Sequence, residues 1–251
     1  MISVSVNVSL SNALIIKQKK DTNMNKKVLI VPDVHGRLFW KDAMSKIDEV
    51  DLCVFLGDYA DPYEFESNTI SGSEPERLVD NVKEIIKFAR DYSPKVVLLL
   101  GNHDAHYICD ALYIRSSRYN SAIKNGLLRT FEQNKGLFRK CLAYNGVLFS
   151  HAGVTKAWLC YNGYTGDFDN INEIASFIEG SAIDDTAQVG RARGGNYPSG
   201  GPMWADLGEH TGKDFSFPQA VGHTQLRQTG SVACIGNVTC YDSRSIHIIE
   251  V

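Results

Sequence analysis

The chain has no run approaching the about 18 consecutive apolar residues that a membrane-spanning helix requires, so the sequence predicts a soluble protein without a membrane partner. It has no excess of basic residues either. Its 26 Lys and Arg against 29 Asp and Glu leave a formal net charge of -3, which argues against bulk electrostatic binding of nucleic acid. No two cysteines are spaced as C-x-x-C. The six present, Cys53, Cys109, Cys141, Cys160, Cys234 and Cys240, are scattered, mostly in apolar stretches, and read as buried free thiols in a reducing cytoplasm. Internal repeats, low-complexity blocks and a composition shift that would mark a linker are also missing. With 251 residues, 43% hydrophobic and 22% charged, what remains is an ordinary globular chain best read as one domain.

The N-terminus lacks the early positive charge, unbroken apolar run and small-residue cleavage site of a secretory signal. Ile2, Val4, Val6, Val8 and Leu10 alternate with small polar residues, which is strand periodicity. Residues 1–23 are accordingly read as an edge strand, a mobile leader or the product of an upstream start. Residues 24–251 are read as the folded domain.

From Lys27 onward the pattern is regular. Val28-Leu29-Ile30-Val31 runs into Pro32-Asp33-Val34-His35-Gly36, Leu52-Cys53-Val54-Phe55-Leu56 into Gly57-Asp58, and Val96-Val97-Leu98-Leu99-Leu100 into Gly101-Asn102-His103-Asp104. Between the last two runs, Leu78, Val82, Ile85 and Ala89 share one helical face, with Ser73 as the expected N-cap. This alternation predicts a parallel βαβ core. A helical insert or lid is expected over residues 105–140. A strand over residues 146–150 leads to His151-Ala152-Gly153, residues 165–215 read as loop-dominated, and short strands return around residues 220–222, 231–235, 238–241 and 246–251.

Every one of the main apolar runs ends in Asp, Asn or His. In open α/β sheets the loops beyond the strands' carboxyl ends form the ligand crevice, so these side chains are expected to converge. Asp33 and His35 lie two apart in one turn, Asp58 follows a glycine and is placed to bridge two cations, Asn102 offers a neutral oxygen, and His151 and His223 offer imidazoles. Such a mixed oxygen and nitrogen set suits Mn²⁺, Fe or Zn²⁺ better than Ca²⁺, and the lack of a neighbouring thiolate argues against structural zinc. Two cations about 3.5–4 Å apart can clamp a phosphoryl group.

The order and wording of these segments resemble the calcineurin-like metallophosphoesterase superfamily and, within it, the phosphoprotein phosphatase family of serine/threonine phosphatases with its bacterial and phage relatives. PDVHGR stands for GDxHG, GDYAD for the start of GDxxDRG, GNHD for GNHE, SHAGV for SHGG and GHTQ for GHT, over residues 28–225. The resemblance implies a four-layer α/β/β/α sandwich and a dinuclear phosphatase in which a metal-bridging hydroxide attacks phosphorus in line. It assigns Asp33, His35 and bridging Asp58 to one metal, and Asp58, Asn102, His151 and His223 to the other, with Mn²⁺ the first choice and Fe or Zn²⁺ as alternatives. It makes His103 the acid that protonates the leaving oxygen and Asp61 the residue that orients it. The implied partner is a phosphorylated substrate, whether small molecule, nucleotide or phosphoprotein.

Two departures matter. Gln225 stands where many phosphodiesterase relatives have a second histidine, which sides with the phosphatase branch. Pro62 stands where DRG supplies the phosphate-binding arginine, and Arg191 and Arg193, in a Gly-rich loop, are the favoured replacements, with Arg37 and Arg227 as others. Trp204-Ala205-Asp206 resembles the family's W-x-D segment. Tyr59, Tyr63 and Trp204 are candidates for pocket wall or core, while His106, His210 and His247 read as structural or exposed. The rival readings are a phosphodiesterase or dinucleoside-polyphosphate pyrophosphatase, and a non-catalytic metal-binding scaffold.

Overall fold

The computed structural model describes residues 25–63, 66–110 and 118–251, so the expected leader or edge strand over residues 1–23 and the domain start at Met24 lie outside the described residues. In chain order the strands are β1 (Lys27–Val31), β2 (Leu52–Phe55), β3 (Val96–Leu99), β4 (Phe138–Arg139), β5 (Cys141–Tyr144), β6 (Val147–Ser150), β7 (Gln219–Val221), β8 (Ala233–Ile235), β9 (Val238–Cys240) and β10 (His247–Glu250). The helices are α1 (Asp42–Lys46), α2 (Pro75–Asp91), α3 (Asn102–Ile108), α4 (Ser121–Gln133), α5 (Lys156–Tyr161), α6 (Ile171–Gly180) and α7 (Ile183–Thr186). None of the described helices is long and apolar enough to cross a membrane.

The strands form two five-stranded sheets, ordered β10-β1-β2-β3-β4 and β5-β6-β7-β9-β8. In the first, β1 through β4 run parallel and β10 closes the edge antiparallel. Parallel strands in such a position are covered on both faces, which is why they read as unbroken apolar runs. Along β1, Val28 and Ile30 face the second sheet, packing with Leu142, Phe149 and Tyr241. Leu29 and Val31 point the other way, into a cluster with Trp40, Ala43 of α1, Leu78, Val82 and Ile85 of α2 and Leu127 of α4. The outer face of the second sheet is covered by Trp158 of α5 and by Ile174 and Ile178 of α6. The result is the expected sequence of layers: helices, sheet, sheet, helices. Each fully buried Leu- or Phe-sized side chain contributes about 1.5–3 kcal/mol. An exposed ion pair such as Lys83 with Asp80 contributes about 0–1, so layer docking dominates what holds the fold.

One local expectation is corrected and two are filled in. Helix α2 starts at Pro75, whose fixed φ suits the first helical position, with Glu74 before it and no side-chain cap; Ser73 pairs its hydroxyl with Ser71 at 2.8 Å instead. Residues 165–215 are loop-dominated, as expected, and α6 forms within them, capped by the Asn170 side chain on Glu173 N–H. Ile174 and Ile178, one turn apart, bury its inner face. Of the helical insert or lid expected over residues 105–140, the described residues show the insert: α4 buries Ile123, Leu127 and Phe131 in the helix layer. The thiol expectation is met in part. Cys53, Cys141 and Cys240 are buried, but Cys160 and Cys234 are exposed and Cys109 is half-buried.

Candidate metal centre

The six candidate donors leave the carboxyl ends of β1, β2, β3, β6 and β7, and the structure brings their side chains together. Pro32, Gly57 and Gly101 stand at the strand exits, where the chain must turn out of the sheet. His35, Asp58 and His223 adopt φ of 46°, 54° and 66°, left-handed values that non-glycine residues rarely take. Hydrogen bonds hold these turns: His35 N–H donates to the Asp58 backbone carbonyl at 2.7 Å, and His223 N–H to the Asp33 side-chain Oδ1 at 3.0 Å.

Asp58 sits at the middle. Its Oδ2 is 3.5 Å from His35 Nε2 and 3.4 Å from His151 Nε2, while its Oδ1 accepts the His103 N–H at 2.9 Å. On one side His35 Nε2 lies 3.9 Å from Asp33 Oδ2. On the other, His151 Nε2 lies 2.9 Å from Asn102 Oδ1 and 3.1 Å from His223 Nδ1. The tautomers follow from the outer contacts: His35 donates its Nδ1–H to the Ala60 carbonyl at 2.9 Å, and His151 donates its Nδ1–H to the Leu56 carbonyl at 2.8 Å. Each Nε2 therefore carries a lone pair, aimed among the Asp and Asn oxygens, a convergence of acceptors that a bound cation would satisfy.

The electrostatics agree. Burial first, and the charge of Asp33 second, push the Asp58 carboxyl well above the usual carboxylate range. Burial pulls His35 and His223 well below the usual histidine value, keeping both neutral. The buried His223 Nε2 has no hydrogen-bond partner among the described residues. The nearby Cys240 thiol donates to the Gly222 and Thr224 carbonyls at 3.3 Å each, and burial raises it to about 12, so it offers no thiolate. Two carboxylates, an amide oxygen and three imidazoles fit a hard-to-borderline divalent transition metal.

His103 and Asp61 form a second cluster beside the donors. His103 Nδ1 lies 2.8 Å from Asp61 Oδ2, as does His106 Nε2, and the Tyr107 hydroxyl donates to Asp61 Oδ1. Burial alone would raise Asp61, but the bonds from His103 and His106 outweigh it and hold the carboxyl below its usual range. Burial draws His103 down to about 4, against the pull of Asp61.

A cavity of about 500 Å³ opens over these groups, reaching His35, Asp58, Asn102, His103 and His223. Tyr63, Tyr197, Trp204, Arg118 and Arg193 supply much of its wall. Of the four nominated arginines, Arg193 alone reaches it, with Nε 2.6 Å from Asp206 Oδ2 and Nη2 donating to Thr224 Oγ1 at 2.9 Å. Arg191 and Arg227 are exposed, outside the cavity lining. Arg37 is buried in a two-pronged pair with Glu66, at 2.6 and 3.1 Å, and donates to the Asp33 carbonyl. Tyr59 belongs to the core. His210 is buried against the Ala152 carbonyl and His247 bonds Ser243, while His106 belongs to the Asp61 cluster.

Two participants were not nominated. Asp104 accepts N–H bonds from Asp58, Tyr59 and Gly101 at 2.7, 3.0 and 2.9 Å, tying two strand exits together. Its sequence signal was an acid at the third helical position, where a side chain reaches back to the helix start. Arg118 carries no local signal, because the segment before α4 has no periodicity.

The glycines of this region have no room to spare. A Cβ on Gly101 would lie 2.1 Å from Asp58 Oδ1, and one on Gly222 would lie 2.2 Å from Asp33 Oδ1. Gly101→Ala should therefore displace the Asp58 carboxylate, weaken metal uptake at least about tenfold and destabilise the fold by about 1–3 kcal/mol. Metal titration alongside urea unfolding reads both effects, and wild-type metal affinity in the variant would contradict the packing argument.

The model of the calcineurin-like phosphoesterase family matches residues 26–224. No curated protein matches the chain. Among solved structures, a cold-active protein-tyrosine phosphatase of a psychrophile, Shewanella sp., is similar at 16% identity over 89% of this chain and 75% of that one, with a TM-score of 0.47. A metallophosphoesterase from Sphaerobacter thermophilus is similar at 15% identity, covering 90% and 84%, with a TM-score of 0.40. A protein serine/threonine phosphatase from Saccharomyces cerevisiae is similar at 18% identity, covering 90% and 72%, with a TM-score of 0.43.

Proposed function

The chain belongs to the calcineurin-like phosphoesterase family and is a metal-dependent hydrolytic phosphoesterase; from that premise we propose that it hydrolyses phosphomonoesters at a dinuclear centre, in the manner of the phosphoprotein phosphatases. The observation that carries the dinuclear reading is the position of Asp58 Oδ2 between His35 Nε2 and His151 Nε2, shared by two groups of lone-pair donors. Asp33, His35 and Asp58 would hold one cation; Asp58, Asn102, His151 and His223 the other, with Mn²⁺ as first choice and Fe or Zn²⁺ as alternatives. Bound cations supply charge for the phosphoryl oxygens and activate the attacking water.

The remaining work falls to side chains. His103, held through Nδ1 by Asp61, turns Nε2 toward the cavity, where it can hand a proton to the leaving oxygen. Burial and the Arg118 charge oppose protonation there, Asp61 favours it, and the negative charge of a bound phosphate adds to the Asp61 side. Arg193 is fixed by Asp206 and Thr224 at the cavity wall, suited to contact the substrate phosphate. The Asp206 of the Trp204-Ala205-Asp206 segment thereby acquires a role.

Gln225 favours the monoester reading: it donates to Glu66 Oε1 at 3.2 Å instead of turning an imidazole into the cavity. The cavity's size and its Tyr63, Tyr197 and Trp204 walls favour a bulky leaving group, which keeps a diester or dinucleoside polyphosphate as the second reading. With Mn²⁺, mono-aryl phosphate or phosphopeptide should turn over at least about tenfold faster than bis-aryl phosphate or diadenosine tetraphosphate, and chelation should stop both. A reversed ratio would replace the reading with the diesterase one, and no phosphate release from metal-loaded protein would leave the scaffold. We also assign the protein to the cytoplasm, since unpaired exposed thiols such as Cys160 suit a reducing compartment.

A further inference from the structure

Arg118 enters the cavity from just before α4, outside every strand exit. Its Nε donates to the carbonyl of Asp61 at 3.2 Å, the residue immediately before Pro62. Its guanidinium carbon lies 3.6 Å from the centre of the Tyr63 ring, on the residue immediately after it. The turn around Pro62 thus grips one edge and one face of the guanidinium, a planar fork that stacks well on aromatic faces. Nη2 then lies 3.2 Å from His103 Nε2 and 3.4 Å from His35 Nε2. The fork's end is therefore set between the nominated acid and a nominated metal ligand, where a phosphoryl group over Asp58 would present its oxygens.

We propose that Arg118 is the substrate-phosphate anchor of this site, supplying from the α4 approach the guanidinium that Pro62 cannot, with Tyr63 as its positioning residue. The ligand chemistry is a phosphoryl dianion, in a monoester or as inorganic phosphate. A planar fork matches two charged, non-bridging oxygens, and a diester bears a single charge, so the same contact discriminates between the two. Arg193, whose charge acts on His223, addresses the other donor group of the same cavity. The inference builds on the phosphomonoester reading above.

The test is inorganic phosphate binding to metal-loaded protein by calorimetry, with metal content and mono- to diester selectivity measured in parallel. Arg118→Ala should weaken phosphate binding about ten- to a hundredfold, at wild-type metal content, and lower the selectivity for monoesters. Arg118→Lys, which keeps the charge without the fork, and Tyr63→Leu, which removes the stacking face, should fall between Arg118→Ala and wild type. Arg77→Ala, on the exposed face of α2, should match wild type. If Arg118→Ala does not fold, Arg118→Lys decides by the same measurements. Wild-type phosphate affinity and selectivity in the folded variant would overturn the assignment while leaving the monoesterase reading intact. Phosphate held through Arg118 by a protein that cleaves no monoester would do the reverse.

Discussion

Asp58→Asn should cut kcat/KM by about a thousandfold or more and abolish the thermal stabilisation that added Mn²⁺ gives the wild-type protein. Both effects come from one atom, because Asp58 Oδ2 faces His35 Nε2 and His151 Nε2 at nearly equal distances. An amide there removes the negative charge common to the two donor groups, and its NH₂ can donate to those imidazole lone pairs, placing protons where the proposed cations would sit. The metal-free variant should be no less stable than metal-free wild type, since burial and Asp33 disfavour the Asp58 charge. A ligand present at a hundred times its Kd stabilises by about 2.7 kcal/mol. Thermal melts with and without Mn²⁺ therefore separate loss of metal from loss of fold. A variant that keeps its Mn²⁺ shift and most of its activity would remove Asp58 from the bridging position.

The second large effect concerns His103. His103→Asn should lower kcat on alkyl phosphates by about 10²–10⁴, with metal content and phosphate affinity little changed. The size of the loss should depend on the leaving group: nitrophenolate departs without a proton, so nitrophenyl phosphate should suffer far less than phosphoserine peptides. Asp61→Asn should show the same pattern, weaker, because Asp61 acts through His103, holding its Nδ1 at 2.8 Å. Equal losses on both substrate classes would assign His103 a role other than proton donation.

The exits of β1, β2 and β3 were legible because each unites two local signals: an apolar run long enough for a doubly covered strand, and a proline or glycine followed by a polar residue. Val28 to Val31 ending at Pro32, and Leu52 to Leu56 ending at Gly57, are of this kind. The pairing of β10 with β1 and the order of the second sheet depend on contacts more than a hundred residues apart in places, which no local pattern encodes. Helix α6 was hidden by surrounding Gly, Asp and Asn, although Ile174 and Ile178 carry a helical spacing. Arg118 was hidden more deeply. Its placement comes from Asp61 and Tyr63, across the Pro62 turn, and so from tertiary structure alone. The arginines in the Gly-rich loop shared a sequence argument, yet only Arg193 finds an acidic anchor, Asp206, that turns it to the cavity.

Asp33, His35, Asp58 and Asn102 descend from the first sheet, whereas His151 and His223 descend from the second. A cation held by Asp58, Asn102, His151 and His223 would thus rivet one half of the sandwich to the other across the rim of the inter-sheet core. Its arrival would mark the completion of assembly, because neither half alone presents that full set of donors. Slow exchange of the backbone amides of β6 and β7 should consequently depend on metal, while those of β2 and β3, clamped by Asp104, should keep their protection after chelation.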